Sequence, residues 1–242
     1  MSEEQIILAI PSKGRMEEDA RRIFAEANLP IARPGGARSY SGTIKNQPQI
    51  SVRFYPAAEI ARELVAGTID LGVTGADLVH EAAENGAEQV LFIRPLGFGE
   101  ADVVVAVPDA WIDVTQMADL ADVASDFRSR HGRWLRIATK YVHLTRRFFA
   151  HWGIAEYRIV ESAGATEAAP AAGSADLIVD ITSSGETLSA NALRILEDGL
   201  VLRSEANLIA SRTAPWTPLK KAQLEAFLSI MGGIPPGLST QL

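Results

Sequence analysis

The sequence predicts an α/β protein built of two lobes, and three observations lead to this prediction. Short apolar runs alternate along the chain with stretches of helical periodicity, which is the order found in parallel α/β layers. Most of these runs are continuously apolar, as strands covered on both faces are. The long apolar run 102–108 is followed by a fresh segment from Trp111, which indicates that the chain crosses there from one lobe to the other.

The predicted elements follow from residue type and spacing. The strand segments are short, apolar and rich in β-branched residues, whereas apolar residues recur at helical spacing in the helical segments. The nine predicted strands are 6–10, 50–55, 70–75, 90–94, 102–108, 135–139, 157–162, 176–181 and 207–211. The six predicted helices are 16–29, 58–67, 77–86, 144–153, 166–174 and 222–233. Gly67 and Gly153 follow two of these helices, as C-terminal glycines do.

Two crossings divide the predicted lobes. The first follows residue 105 and the second lies near residue 200, so that lobe I comprises 1–105 with about 200–242 and lobe II comprises 106–199. A chain that leaves one lobe, builds a second and then returns is expected to bind its ligand in the cleft between the two.

Composition excludes several classes of protein. The net charge of −7 argues against a nucleic-acid partner, since phosphate-backbone binding requires a basic excess. The start of the chain has neither the length of apolar run that spans a membrane nor the basic residues of a secretory signal, so a cytoplasmic protein is expected. The chain has no cysteine and four scattered histidines, which predicts no dedicated protein metal site.

The segment DITSSGET, 180–187, is the first candidate site. An apolar strand ends at Asp180, small hydroxyl residues surround Gly185, and a helix is expected to start near Leu188. Backbone amides and the positive end of a helix dipole would then converge on one point, which is an arrangement that binds anions. No lysine is present, so this is not a Walker P-loop. A Ser/Thr-rich turn that only caps a helix has the same pattern.

Other strand-to-helix loops carry cations or glycines. AIPSKGRM, 9–16, places Lys13 and Arg15 at the start of a helix, where an anion is favoured. DLGVTGADLV, 70–79, has glycines that allow close approach of a ligand or another strand. Lys140, Arg146 and Arg147 form a further basic group in ATKYVHLTRRFF. For each of these groups, solvated surface charge or an ordinary turn is the alternative interpretation.

Five segments, in chain order, together resemble the ATP phosphoribosyltransferase family. They are AIPSKGRM, IARELVAGTIDLGVTGADLV, RIATKYVHLTRRFF, ESAGATEAAP and ADLIVDITSSGETLSANAL. The resemblance implies a two-lobe fold like that of periplasmic binding proteins. It also implies that N1 of ATP attacks C1 of phosphoribosyl pyrophosphate (PRPP), releasing pyrophosphate in the first step of histidine biosynthesis. No protein nucleophile is required, and Mg²⁺ arrives mainly with the pyrophosphate.

The resemblance also implies roles for individual residues, taken position by position. The expected PRPP-binding residues are Glu161, Glu167, Asp180, Thr182, Ser183, Ser184, Gly185, Glu186 and Thr187. Among these, the turn 182–187 would hold the 5′-phosphate, and Asp180 or Glu161 would lie near the ribose hydroxyls. Charge stabilisation falls to Lys13 and Arg15. The expected ATP contacts are Lys13, Arg15, Arg33, Arg53, Gly75 and Asp77.

Partners are implied by the resemblance as well. Only some 30 residues follow Arg212, so the chain resembles the short type of the family. That type forms homo-oligomers and hetero-oligomers with a regulatory subunit similar to histidyl-tRNA synthetase. Two alternatives stay open at this point: a binding protein of the same two-lobe fold without catalysis, and a nucleobase phosphoribosyltransferase.

Overall fold

The computed structural model describes residues 4–36 and 39–242. They form two compact units, one running up to Gly99 and resuming over Glu205–Leu242, the other spanning Glu100–Ser204. The chain passes between the two units at 99–100 and 204–205, whereas the sequence predicted these crossings at 105–106 and near 200. No helix in these ranges combines the length and hydropathy that a membrane crossing requires.

The described part of the chain contains twelve strands and eight α-helices. The strands are β1 Ile6–Pro11, β2 Ile31–Ala32, β3 Ser41–Ile44, β4 Ile50–Tyr55, β5 Leu71–Gly75, β6 Val90–Pro95, β7 Ala101–Pro108, β8 Leu135–Thr139, β9 Tyr157–Glu161, β10 Leu177–Thr182, β11 Leu193–Ser204 and β12 Ala206–Ser211. The helices are α1 Gly14–Glu26, α2 Ala57–Ala66, α3 Ala76–Ala82, α4 Met117–His131, α5 Val142–His151, α6 Glu186–Ala190, α7 Pro218–Ile230 and α8 Leu238–Gln241. Two 3₁₀ helices lie at Gly86–Gln89 and Thr166–Ala168.

The first unit contains a seven-stranded sheet in the order β2-β3-β4-β1-β5-β12-β6. β1 is parallel to both β4 and β5, whereas β12 is antiparallel to β5 and to β6. Apolar side chains are buried on both faces of this sheet, with Phe24, Phe54 and Phe227 in one cluster and Ile60 and Leu64 in another. Burial on both faces explains the continuously apolar character of these strands.

The second unit contains a five-stranded sheet in the order β11-β7-β10-β8-β9. β8 is parallel to β10 and to β9, and β7 is antiparallel to β10 and to β11. Both sheets therefore share one plan. The parallel strand that comes first in the chain, β1 or β8, lies between the second, β4 or β9, and the third, β5 or β10. An antiparallel strand, β12 or β7, lies beyond the third. In such sheets ligands bind beyond the carboxyl ends of the strands, where the strand order reverses.

All nine predicted strands are confirmed, but other elements differ from prediction. β2, β3 and β11 were not predicted. β2 and β3 are only two and four residues long, and the register of β11 is shifted between Ile195 and Leu200, where its apolar pattern is interrupted. α4 was also missed; its start is fixed by a capping box in which Gln116 and Asp119 exchange side-chain and backbone hydrogen bonds. The predicted helix 166–174 is wrong, because only the single 3₁₀ turn Thr166–Ala168 forms before Pro170.

Within the first unit, a buried ion pair links Lys220 of α7 to Asp70, the residue before β5. Lys220 Nζ lies 2.8 and 3.1 Å from the two carboxylate oxygens of Asp70, and the two side chains are only 6% and 3% exposed. Asp70 Oδ2 also accepts a hydrogen bond of 2.8 Å from the Ile7 amide. A carboxylate this deeply buried is tolerated because three hydrogen bonds from two donor groups satisfy it.

We expect Lys220→Met to lower the free energy of unfolding by about 3–5 kcal/mol, because it leaves the Asp70 charge buried without its cation. Denaturant unfolding of the full chain measures this change in the free energy of unfolding. The matched control is Lys45→Met in the same unit, where the lysine is exposed and the expected change is within about 0.5 kcal/mol. Equal effects of the two substitutions would contradict a stabilising role for the pair.

Candidate functional site

The candidate site of the second unit lies where three parallel strands end. β10 leads into the turn 182–185 and α6, β8 leads into Lys140 and α5, and β9 leads into the loop that ends in the 3₁₀ helix Thr166–Ala168. Because the three strands are parallel neighbours, these loops meet at one edge of the sheet. The strand order reverses between β8 and β10, and this is where ligands bind in open α/β sheets.

The turn after β10 is held by its own hydroxyl groups. The Gly185 amide donates to Thr182 Oγ1 at 2.8 Å, and the Glu186 amide makes a longer contact of 3.4 Å with Ser184 Oγ. Gly185 is left-handed, with φ 76° and ψ −7°, a conformation that strongly favours glycine. The predicted helix begins at Glu186 rather than near Leu188 and is only five residues long. The dipole of so short a helix is small, so the amides and hydroxyl groups of the turn are the main groups here that could bind an anion.

A small polar cavity opens beside this turn. Its volume is about 170 Å³, and its lining residues are Glu167, Asp180, Ile181, Thr182, Ser183, Ser184, Thr187 and Leu188. Whole small-molecule ligands occupy pockets of roughly 300 Å³ or more. The cavity therefore suits one group of a ligand, such as a phosphate, better than a complete nucleotide.

Asp180 is the acidic group of this cavity, and its side chain is 16% exposed. Burial raises the pKa of Asp180, whereas a hydrogen bond from the Ile181 amide and the positive charge of Lys140 lower it. The amide of Ile181 lies 2.8 Å from Asp180 Oδ1, and Lys140 Nζ lies 3.9 Å from the same oxygen. The carboxylate is thus costly to ionise and is stabilised by specific donors.

The other three predicted acids of the PRPP site are placed differently. Glu186 is exposed at the start of α6. Glu167 lines the cavity, and its negative charge opposes ionisation of Asp180. Glu161 is exposed at the end of β9 and lines a separate pocket of about 800 Å³ with residues such as Tyr157 and Arg158. The structure brings Glu167 and Asp180 together but places Glu161 on the rim of a different depression.

The predicted ATP contacts belong to the first unit. Lys13 and Arg15 are exposed at the start of α1, where the Lys13 side chain makes no capping hydrogen bond. Gly75 ends β5, and Asp77 is buried in the first turn of α3. α1, α2 and α3 each begin at the carboxyl end of a parallel strand, so this edge of the sheet presents three helix N-termini.

Arg33 and Arg53 are held by the protein itself. Arg33 donates to the Ser39 carbonyl at 2.7 Å and the Ser12 carbonyl at 3.2 Å, pairs with Glu17 at 3.1 Å, and is 7% exposed. It therefore braces the loop that carries Lys13. Arg53 lies within β4 and donates to Ser41 Oγ at 3.0 Å.

One further residue close to Asp180 was not among the predicted site residues. Lys140 Nζ lies 3.9 Å from Asp180 Oδ1. Lys140 was noted in the sequence only as one of a basic group, and its position directly after β8 is the signal that it lies at this edge of the sheet.

Among the described residues, no group of three or more His, Cys, Asp or Glu side chains is placed to hold a metal ion. The fold is that of an α/β protein of the periplasmic-binding-protein-like class. A histidine kinase sensor domain with similarity to periplasmic binding proteins has the same fold, with a TM-score of 0.51 at 13% identity over 94% of this chain and 88% of that one.

The family model described as ATP phosphoribosyltransferase, HisG, matches residues 56–232. That match covers more than half of the sequence, so the chain belongs to the ATP phosphoribosyltransferase family. The family resemblance and the fold class predicted from the sequence are thereby confirmed.

Comparison with individual relatives also supports membership of this family. The ATP phosphoribosyltransferase of Bradyrhizobium sp. (strain ORS 278) is 58% identical over 212 residues, which are 88% of this chain and 65% of that protein. This chain therefore spans a little under two thirds of the length of the curated relatives it matches. The ATP phosphoribosyl transferase (HisG:HisZ) complex from Thermotoga maritima superimposes with a TM-score of 0.68 at 25% identity, covering 94% of this chain and 96% of that chain.

We expect Gly185→Val to weaken PRPP binding more than tenfold, because the turn's hydrogen bonds depend on a left-handed residue. An added Cβ meets nothing within 4 Å, so the effect comes from the backbone rather than from a filled cavity. Calorimetric titration with PRPP measures the loss.

The matched control is Gly153→Val. Gly153 has φ 70° and equally open space, so both substitutions should destabilise the second unit by about 1–2 kcal/mol. Equal loss of PRPP affinity in the two variants would contradict a binding role for the turn.

Proposed function

We propose that this chain catalyses the transfer of the phosphoribosyl group of PRPP to N1 of ATP, giving phosphoribosyl-ATP and pyrophosphate, the first step of histidine biosynthesis. The observation that carries the proposal is the family match, which includes β10, the turn 182–185 and α6. The cavity beside that turn, with its acid and its hydroxyls, supports the assignment of the donor substrate.

In this proposal the turn 182–187 holds the 5′-phosphate of PRPP. Thr182, Ser183, Ser184 and Thr187 line the cavity with hydroxyl groups, which can both donate and accept hydrogen bonds. Thr182 Oγ1 accepts a hydrogen bond from the Gly185 amide. A phosphate oxygen is a stronger acceptor than a hydroxyl, so we infer that it displaces this contact and takes the amide.

Asp180 is assigned to the ribose hydroxyls. An ionised carboxylate accepts hydrogen bonds and donates none, so it can bind two neighbouring hydroxyls of the sugar and fix the ring. Fixing the ring orients C1 for attack, and alignment is the main demand of a reaction without a protein nucleophile. Glu167 shares the cavity and is proposed as a second ribose contact, with Glu161 farther out.

Charge neutralisation is the second demand, since pyrophosphate departs and the ribose gains oxocarbenium character. We assign it to Lys13 and Arg15 in the first unit and to Lys140 in the second. Arg33, Arg53, Gly75 and Asp77 complete the proposed ATP side, with Arg33 acting through the loop that it braces. A Mg²⁺ ion bound by the pyrophosphate and water would neutralise the leaving group.

The proposed partners are further copies of this chain and a regulatory subunit similar to histidyl-tRNA synthetase. The support is the structural similarity to a chain of the HisG:HisZ complex from Thermotoga maritima. Association with such a subunit is a property of that protein, and its extension to this chain is part of the proposal.

The proposed activity is tested by incubating the chain with ATP, PRPP and Mg²⁺, with and without a co-purified regulatory subunit, while measuring pyrophosphate release and phosphoribosyl-ATP. We expect both products in a 1:1 ratio. Free adenine in place of ATP should give none, which separates this activity from a nucleobase phosphoribosyltransferase. PRPP binding without any product in either arm would contradict the proposal and favour a binding protein.

We expect Asp180→Asn to lower kcat/KM for PRPP by about 10–100-fold, because hydrogen bonds to a charged group are lost. Burial raises the pKa of Asp180, so the wild-type activity should fall with decreasing pH at a higher pH than for an exposed aspartate. The variant should lack this acidic limb, as a pH series of initial rates will show. If the variant keeps the same acidic limb in its pH profile, a group other than Asp180 causes that limb.

A further inference from the structure

We propose that Thr139 is a positioning residue for the phosphoribosyl transfer: its hydroxyl group closes the turn that directs the Lys140 ammonium group to the Asp180 carboxylate. The proposal rests on the function proposed above, which assigns Asp180 to the ribose and Lys140 to charge neutralisation. It adds a residue that acts through Lys140 and does not itself bind the substrate.

The hydroxyl group of Thr139 is bound inside the protein. Thr139 is the last residue of β8 and is fully buried. Its Oγ1 accepts a hydrogen bond of 2.8 Å from the amide of Tyr141, which is also buried. A threonine hydroxyl that binds the backbone two residues further on closes a tight turn. Because a buried amide requires an acceptor, the side chain of Thr139 determines how the chain leaves the strand.

The backbone of Thr139 is fixed from the side of β9. Its carbonyl group accepts a hydrogen bond of 3.0 Å from the Ser162 amide, which extends the pairing of β8 with β9 past Glu161, the last residue of β9. Thr139 thus binds the loop after β9 through its carbonyl group and the start of α5 through its hydroxyl group. The chain bends at Lys140, between Thr139 and Tyr141, so the backbone of the lysine is held on both sides.

The side chain of Lys140 lies next to two fixed groups. Its Nζ is 3.9 Å from Asp180 Oδ1 and 5.0 Å from the centre of the Tyr141 ring. The carboxylate is held by the Ile181 amide at 2.8 Å, and the ring is buried. A lysine side chain is long and flexible, and this one is 44% exposed, so its charge stays at one place only where the backbone and neighbouring groups restrict it. A cation held in this way is in place before charge develops in the reaction, as preorganised stabilisation requires.

The titration of Asp180 reports the position of Lys140. Burial has the largest effect on the pKa of Asp180 and raises it, whereas the Ile181 amide and the positive charge of Lys140 lower it. The negative charge of Glu167 raises it again. Movement of Lys140 away from the carboxylate therefore raises the pKa of Asp180. Thr139 carries no charge, and neither does valine or serine in its place, so these substitutions change the pKa through geometry.

The experiment follows the carboxyl ¹³C resonance of Asp180 across a pH titration of the unliganded chain. We expect the pKa of Asp180 to rise in Thr139→Val, which keeps the shape of the side chain but lacks the hydroxyl group, and to be restored in Thr139→Ser. Lys140→Met should raise it as well, because the cation is removed. When Thr139→Val is combined with Lys140→Met, the pKa should equal that of Lys140→Met alone, since the threonine acts through the lysine.

Thr145→Val is the matched control, since Thr145 is a fully buried threonine of α5 whose hydroxyl has no hydrogen-bond partner in the described part of the chain. It should leave the Asp180 titration unchanged. In kinetic assays Thr139→Val should lower kcat/KM for PRPP about tenfold, and Thr139→Ser should recover most of the loss. In a chain that already carries Lys140→Met, the same Thr139→Val substitution should change kcat/KM by less than about twofold. A general loosening of the loop would instead multiply the two losses.

An unchanged Asp180 pKa in Thr139→Val would overturn the proposal even if activity fell, because the threonine would then have only a structural role. A rise of the same size with and without the lysine would overturn it as well. Lys140→Met alters an exposed side chain and gives a test that does not depend on the folding of Thr139→Val: an unchanged Asp180 pKa in Lys140→Met would also overturn the proposal. Titration shifts of the expected signs in a chain that forms no phosphoribosyl-ATP would support the arrangement of Thr139, Lys140 and Asp180 and refute the proposed function instead.

Discussion

The site of the second unit depends on the parallel pairing of β8 with β10 on one side and β9 on the other. This pairing brings three loops that are distant in sequence to one edge of the sheet. Glu167 and the turn after Asp180 line one small cavity there, and Lys140 lies beside Asp180. A sheet with these strands in another order would separate the acid from its cation.

At this edge of the sheet, the main electrostatic feature is the cost of ionising the buried Asp180 side chain. Burial disfavours its charge, whereas the Ile181 amide and the positive charge of Lys140 favour it. Donors that the fold fixes in place hold the carboxylate in one orientation, which is the advantage of a preorganised site. The turn beside it is organised by the same means, since Thr182 Oγ1 accepts a hydrogen bond from the Gly185 amide.

Much of the fold could be predicted because parallel strands buried on both faces have an unmistakable apolar pattern. All nine predicted strands are present, whereas β2, β3, β11 and α4 were missed. β2 and β3 are too short to show the pattern, and a bulged strand and a helix with interspersed aspartates lack it. The turn around Gly185 was predicted, and the structure shows that this position has open space around it and favours glycine for its left-handed backbone.

The sequence alone determined the α/β class and the segments that carry the family resemblance, since these depend on residue type and local spacing. Tertiary structure decided which loops meet. It brought Lys140 and Glu167 to Asp180, placed Glu161 at a different pocket, and bound Arg33 to the loop of Lys13. The reason is physical. Strand order and side-chain hydrogen bonds link residues far apart in the chain, and no local pattern encodes such contacts.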